Sequence, residues 1–449
     1  MQLVSSQFNY GMTYKDTYVI YNTMNTTLYK VNLETFELLK EPKTIVSSTD
    51  ISEKLWNQLY QDKLVVPINE DEMATAKYVV NRIIYGNCLD VMIVPTQGCN
   101  FRCIYCFENH DNNCMTNDSE KKIINFFERN IKYYKTVKIS WFGGEPLLEK
   151  KRIIRIMKNI NTFGKKYGVP IIAEMITNGY LLDLETFKEL VVNNILYYEV
   201  TIDGFEKHHD RLRRLTGGAG TYSKIINNIL NIQRSISKRF RIVIRTNVDK
   251  YSVQDYKEFR EQIGKLLNYD KRFVFLVNKI VDWGGNTIKK VSDNLLQDNS
   301  NLIDDVSEAE FALNYSMATQ DLSQLRCNAG KLNGFVIMPD AKINKCVKVS
   351  YNESELKERE INDLGYITDG GNLVTDMAKC AKFVSTPKMM EECNKCCWLP
   401  VCLLTMCPIK SASGENIKCK MSNEREKKLT DNTILSQYIK GIYKDLTMF

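Results

Sequence analysis

Short apolar runs recur through the middle of the chain, and the stretches between them place apolar residues every three or four positions. Strands are expected at 90–95, 136–142, 169–177, 196–202, 240–248 and 272–278. The segments SEKKIINFFERNIKYY, EKKRIIRIMKNINTF, LETFKELVVNN and YSKIINNILNIQRSI each carry one apolar stripe, the mark of helices that cover a sheet. Such alternation predicts an α/β fold with parallel strands joined by right-handed crossovers. Six units predict a partial (β/α)6 barrel over 88–280, with its chemistry at the C-terminal strand ends.

The flanks read differently. YKDTYVIYNTMNTTLYKVN alternates about an Asn-containing turn and predicts a hairpin at 14–32. LETFELLK and ISEKLWNQLYQDK have helical spacing, with Ser47, Ser48 and Thr49 available as caps, and LVVPI closes the unit as a strand. These elements predict a small winged-helix-like module over 1–82. Residues 281–326 read as a helical bridge whose best helix is EAEFALNYSMATQ. A cysteine-rich tract poor in regular structure follows at 327–425, and 426–449 ends in a helix around ILSQYIKGIY.

A chain of 449 residues is too long for one core. Its 44% hydrophobic and 26% charged content is that of a soluble globular protein. No apolar run reaches the roughly 18 residues of a membrane span, and no signal peptide opens the sequence. A cytoplasmic location without membrane association is therefore expected. The net charge of +7 is mild and its bases alternate with acids, so nucleic-acid binding has no support. The cysteines change the picture more. There are 14, and a reducing cytoplasm points them to metals rather than disulfides. Cys99, Cys103 and Cys106 form one group, and a second crowds between Cys327 and Cys419, with none across 115–326.

The first group reads C-x3-C-x2-C within IVPTQGCNFRCIYCF, directly after an apolar strand. Three thiolates in one loop suit three corners of a cubane cluster and leave the fourth iron open, whereas structural zinc wants four closed ligands. With Tyr105 and Phe107 beside the last cysteine, this loop resembles that of the radical S-adenosylmethionine (radical SAM) enzymes. Gly143-Gly144-Glu145-Pro146, at the end of VKISWF, resembles the family's motif for the cofactor's ammonium; glycines permit close backbone approach and the carboxylate pairs with the cation. The resemblance further implies cofactor contacts at Asn178, at Asp203 toward the ribose, and at Arg245 in an R-x-N pattern with Asn247. A turn at Asp203-Gly204 and a barrel ion pair at Arg245 are the structural alternatives.

The second group resembles the SPASM extension of peptide maturases in this family, which holds two auxiliary 4Fe–4S clusters. By that pattern Cys327, Cys346 and Cys407 hold the first, with Cys380 the leading fourth ligand and Cys397 and Cys114 behind it. Cys393, Cys396, Cys402 and Cys419 hold the second. Pro-Asp-Ala at Pro339–Ala341 departs from the family's Pro-Asp-Gly, and one spacing is x4 rather than x3. A pair of zinc knuckles is the alternative for this tract. The front module resembles the leader-recognition (PqqD-like) module of maturases of ribosomally made peptides, where a leader adds a strand to a sheet edge.

The whole resemblance implies three 4Fe–4S clusters, S-adenosylmethionine as cofactor, a precursor peptide with leader as partner, and an electron donor such as flavodoxin or ferredoxin. The implied reaction is hydrogen abstraction from the peptide and closure of a cross-link, as thioether, carbon–carbon or ether. The alternatives are a sulfatase-maturase-like enzyme that oxidises Cys or Ser to formylglycine, against which Val347 follows Cys346, and a non-catalytic cluster-bearing scaffold. Tyr222, Asp340 and His208 are the candidate catalytic bases.

Overall fold

The structure, a computed structural model, describes residues 2–47, 49, 51–235, 239–282, 288, 293–295, 327–351, 356–385, 391–415, 419, 421–422, 424–439 and 441–447. The helix expected at EAEFALNYSMATQ lies outside them. The chain divides into two compact units, one holding the described residues of 87–310 and 328–383, the other those of 1–86, 327 and 384–449.

The first unit is built on six parallel strands, Cys88–Ile93, Thr136–Trp141, Ile171–Thr177, Ile195–Thr201, Arg241–Val248 and Phe273–Lys279, each paired with its sequence neighbour. They are the six strands expected from the apolar runs. Helix Lys150–Tyr167 shows why the crossovers form. Ile153, Ile156, Met157 and Ile160 fall on one stripe and are buried, and Gly168 ends the helix in a left-handed conformation (φ 68°). Thr116 and Asp183 cap the helices Asn117–Asn130 and Leu184–Val192 through their side-chain oxygens.

The sheet continues past the six strands. Gly334–Ile337 pairs in parallel with the first barrel strand, matching Gly334 to Asp90 and Ile337 to Ile93. Lys342–Asn344, Asp363–Ile367 and Leu373–Thr375 follow antiparallel. This corrects the expectation of little regular structure after 327. GFVI is only four residues long, and its partner lies more than two hundred positions back.

In the second unit the expected hairpin is a three-stranded meander, Asn9–Tyr14, Thr17–Asn22 and Thr27–Val31, with Lys444–Asp445 parallel to its last strand. Among the described residues Asn9–Tyr14 is one of the two edges of this sheet, Lys444–Asp445 the other. Helices Leu33–Leu39 and Glu53–Gln61 stand where their spacing placed them. A further helix, Glu72–Ile84, is capped by Asp71 and buries Ala76, Val80 and Ile84. These join Phe8, Val19, Tyr21 and Leu28 in one core with Val384, Trp398, Leu399, Val401, Leu403, Leu404 and Ile434. The front of the chain and its last cysteine block therefore share a hydrophobic interior. Trp398 anchors it, stacked on Tyr21 and edge-on to Tyr10.

Candidate active site

The candidate site is assembled from loops at the C-terminal ends of the parallel strands. Cys99, Cys103 and Cys106 follow the first strand in a loop fastened to the segment after the fourth. Arg102 N–H donates to Arg214 O (2.9 Å), Ile104 N–H to Leu212 O (3.0 Å) and Thr216 N–H to Asn100 O (2.9 Å). The GGEP turn closes over the loop from the second strand, with Gly144 N–H donating to Thr96 O (3.2 Å) and Glu145 N–H to Gly98 O (2.9 Å). The approach leaves no room for side chains. A Cβ at Gly144 would stand 2.6 Å from Gln97 O, and Gly143 has φ 127°. These glycines are required by packing and conformation.

Glu145 is fully buried. One carboxylate oxygen accepts from Leu147 N–H (3.0 Å) and Thr177 Oγ1 (2.7 Å), the other from Asn178 N–H (2.8 Å). Burial pushes its pKa up, against those three donors and Arg213, which pull it down. Asn178, half of the third-strand loop, donates through Nδ2 to Asn100 Oδ1 (2.8 Å) beside Cys99.

Asp203 is also fully buried. It accepts from the Tyr105 hydroxyl and from Asn247 N–H (2.8 Å). Tyr105 in turn accepts from Arg213 (2.7 Å) and from Asn247 Nδ2 (3.1 Å). Burial raises the Asp203 pKa, while Arg213 and the Tyr105 hydroxyl lower it. The cysteine loop, the fourth strand and the fifth strand thus meet in one polar network. Arg245 pairs with Glu199 (3.0 Å) and donates to Asn247 Oδ1 (3.0 Å), the ion-pair arrangement.

Arg213 and Glu108 are site residues that sequence reasoning passed over. Arg213 is 8% exposed and stands over the Phe101 ring. Its signal was present in HHDRLR, four residues after His209, whose Nδ1 accepts from Asp203 N–H (3.1 Å). Glu108 is a charged residue immediately after the Cys-Phe pair, and it is buried. Burial and then Glu145 push its pKa to about 8.

The three thiols influence one another. Burial raises the Cys99 pKa to about 12, with Cys103 adding to it, and burial raises that of Cys106, helped by Glu108, Cys103 and Cys99. Burial also raises Cys103, against Arg213. Among the described residues no three His, Cys, Asp or Glu side chains are drawn together tightly enough to hold a metal ion. The donor chemistry fits a cluster nonetheless: three soft ligands on one short buried loop, deprotonated on metal binding.

The candidate bases each have partners of their own. His208 Nε2 is bonded to Asp255 (3.0 Å), the Tyr222 ring packs against His209, and Asp340 is an exposed turn residue paired with Lys342 (3.3 Å). In the cysteine tract, Cys346 and Cys380 belong to the barrel unit and Cys327 and Cys407 to the other. Cys393, Cys396 and Cys402 pack against the shared core around Trp398. Burial raises the Cys396 pKa, with Cys419 and Cys393 adding to it, so these three thiols are neighbours.

Residues 93–263 match the family model described as the radical SAM superfamily. The GTP 3′,8-cyclase of Clostridium perfringens is 29% identical over 207 residues, covering 43% of this chain and 57% of that protein. The cysteine-type anaerobic sulfatase-maturating enzyme of Clostridium novyi is 26% identical over 196 residues, covering 40% and 50%. The chain thus spans about half the length of these curated relatives. Among solved structures, anSMEcpe with bound AdoMet and Kp18Cys peptide overlays with a TM-score of 0.52 at 17% identity, over 79% of this chain and 98% of that one. Among the described residues no helix is long and apolar enough to cross a membrane. The cysteine loop and the GGEP turn both lie within the stretch that matches the radical SAM superfamily model.

Proposed function

We propose that the chain is a peptide maturase that abstracts a hydrogen from a ribosomally made precursor and installs a cross-link. The observation that carries this reading is the convergence of Cys99, Cys103 and Cys106, Glu145 and the Asp203–Tyr105–Arg213 network at one end of the parallel strands. A peptide substrate is supported by the fold likeness to anSMEcpe, which was solved with a bound peptide.

Cys99, Cys103 and Cys106 would hold a 4Fe–4S cluster, and Glu145, Asn178 and Asp203 would orient S-adenosylmethionine. Bound there, these groups supply reductive cleavage of the sulfonium and a 5′-deoxyadenosyl radical. The chain's own part is positioning and exclusion of water. Phe101 and Trp141 are fully buried beside the loop, and the Asp203 network fixes Tyr105 and Arg213 before any ligand arrives. Cys393, Cys396, Cys402 and Cys419 would hold an auxiliary cluster. The open strand Asn9–Tyr14 offers the leader an edge for strand addition. Likeness to the sulfatase-maturating enzyme favours oxidation of a protein Cys as the second reading.

The test is anaerobic reconstitution with iron and sulfide counted, followed by dithionite-dependent release of 5′-deoxyadenosine. About twelve irons, with release abolished by replacing the three loop cysteines, supports the proposal. About four irons plus zinc replaces the auxiliary clusters by zinc knuckles, and an absence of iron and release overturns the reading. Incubation with candidate precursors, followed by mass spectrometry, separates a two-hydrogen loss with a new cross-link from formylglycine.

A further inference from the structure

Asp203 stands just beyond the end of strand Ile195–Thr201, where the parallel ladder no longer holds the main chain. Ile202 N–H still donates to Arg245 O on the next strand (2.8 Å), but the Asp203 N–H goes to a side chain, the Nδ1 of His209 (3.1 Å). A ring nitrogen that accepts from an amide carries no proton, so the proton of the neutral imidazole sits on Nε2. Nε2–H then donates to Thr221 Oγ1 (3.0 Å), and the Thr221 hydroxyl donates in turn to Arg213 O (2.7 Å). The direction of every bond follows from the first.

His209 and Thr221 are both buried. Asp210, the next residue, fixes Thr221 from its own side: Oδ1 accepts from Thr221 N–H (2.8 Å) and from Tyr222 N–H (3.0 Å). One imidazole thus ties the main chain of Asp203 to that of Arg213, the two residues whose side chains meet at the Tyr105 hydroxyl. A buried amide that loses such an acceptor has to move to find another, and the carboxylate it carries moves with it.

We propose that His209 is a positioning residue for S-adenosylmethionine: its Nδ1 holds the Asp203 carboxylate in place to accept from the ribose hydroxyls. This rests on the reading of Asp203 as the ribose contact. It gives His209 a task that transfers no proton, and it makes the His209–Thr221–Arg213 chain part of cofactor binding.

The test measures binding rather than turnover, by equilibrium dialysis on anaerobic, cluster-loaded protein. Two ligands are compared: S-adenosylmethionine, and its 2′,3′-dideoxy analogue, which lacks both hydroxyls. Asn carries its amide oxygen as many bonds from the main chain as Nδ1 lies, whereas Gln carries its amide one bond further, at the depth of Nε2. His209→Gln is therefore expected to weaken S-adenosylmethionine by about tenfold and leave the dideoxy analogue unchanged, while His209→Asn stays within about twofold of wild type for both. Equal losses for both ligands in His209→Gln, no loss, or an Asn variant as weak as the Gln variant each overturn the proposal. Where His209→Gln fails to retain iron, Thr221→Val decides. It removes the acceptor that fixes the ring's proton on Nε2, and about a threefold loss confined to S-adenosylmethionine is expected; failure to discriminate overturns the proposal. Wild-type protein that binds the two ligands equally overturns the ribose reading of Asp203, and the proposal with it.

Discussion

Replacing Gly144 by Ala should disable the site by a route the structure lets one work out. The added Cβ would stand 2.6 Å from Gln97 O and from Gly98 C, and closer still to Gly98 O. Ordinary contact begins near 3.4 Å, so the GGEP turn must retreat from the cysteine loop by about 0.8 Å or more. That retreat strains the hydrogen bonds Gly144 N–H to Thr96 O and Glu145 N–H to Gly98 O. Overpacking costs about 1–3 kcal/mol and each weakened bond about 1 kcal/mol. A loss of about 3–5 kcal/mol in denaturant unfolding follows. Because Gly98 adjoins Cys99, iron retention and 5′-deoxyadenosine release should fall with it. The control is Gly168→Ala, where φ is 68° but a Cβ meets nothing within 4 Å. It should cost only about 1 kcal/mol and spare the iron. A Gly144→Ala protein with wild-type stability and iron content would refute the packing argument.

Three further outcomes are expected. His209 is held well below its ordinary pKa by burial and then by Arg213, so the unfolded chain binds the extra proton first; stability is retained above pH 6.5 and falls below it, by up to about 1.4 kcal/mol per pH unit. His209→Asn should flatten the slope of denaturation midpoint between pH 6.5 and 5, and an unchanged slope would exclude His209 as its source. Trp398→Ala removes the ring packed on Tyr10 and Tyr21 and should cost about 3–5 kcal/mol, lowering iron content by about four per chain; full iron would contradict the assignment of Cys393, Cys396, Cys402 and Cys419 to one cluster. Arg213→Met leaves the buried Asp203 and Tyr105 without their cation and should lower stability by about 3–5 kcal/mol, read by denaturant unfolding, whereas an unaltered midpoint would show the network to be dispensable.

The barrel was legible because its signals are local. Each strand is an apolar run, each crossover helix has one stripe, and the motifs fall where runs end. What escaped depends on distance in sequence. Gly334–Ile337 has no pattern that reveals its pairing with Asp90–Ile93. Helix Glu72–Ile84 had a cap at Asp71 and apolar residues four apart, so it was readable yet overlooked. The candidate site divides the same way. Cys99, Glu145 and Asp203 announce themselves by motif, whereas Arg213 matters through what it faces.

The interior shared by Phe8, Val19 and Tyr21 with Trp398, Val401 and Ile434 has a consequence for biosynthesis. The meander is made well before its partners from Val384 onward, which follow roughly 350 residues later. At about 5–20 residues per second the early strands wait roughly 18–70 s for those partners. During that interval they are open to misassociation and to chaperones, while the barrel between them can already fold. A cluster held, as proposed, by Cys393, Cys396, Cys402 and Cys419 could form only after the meander and the barrel strands have already been made.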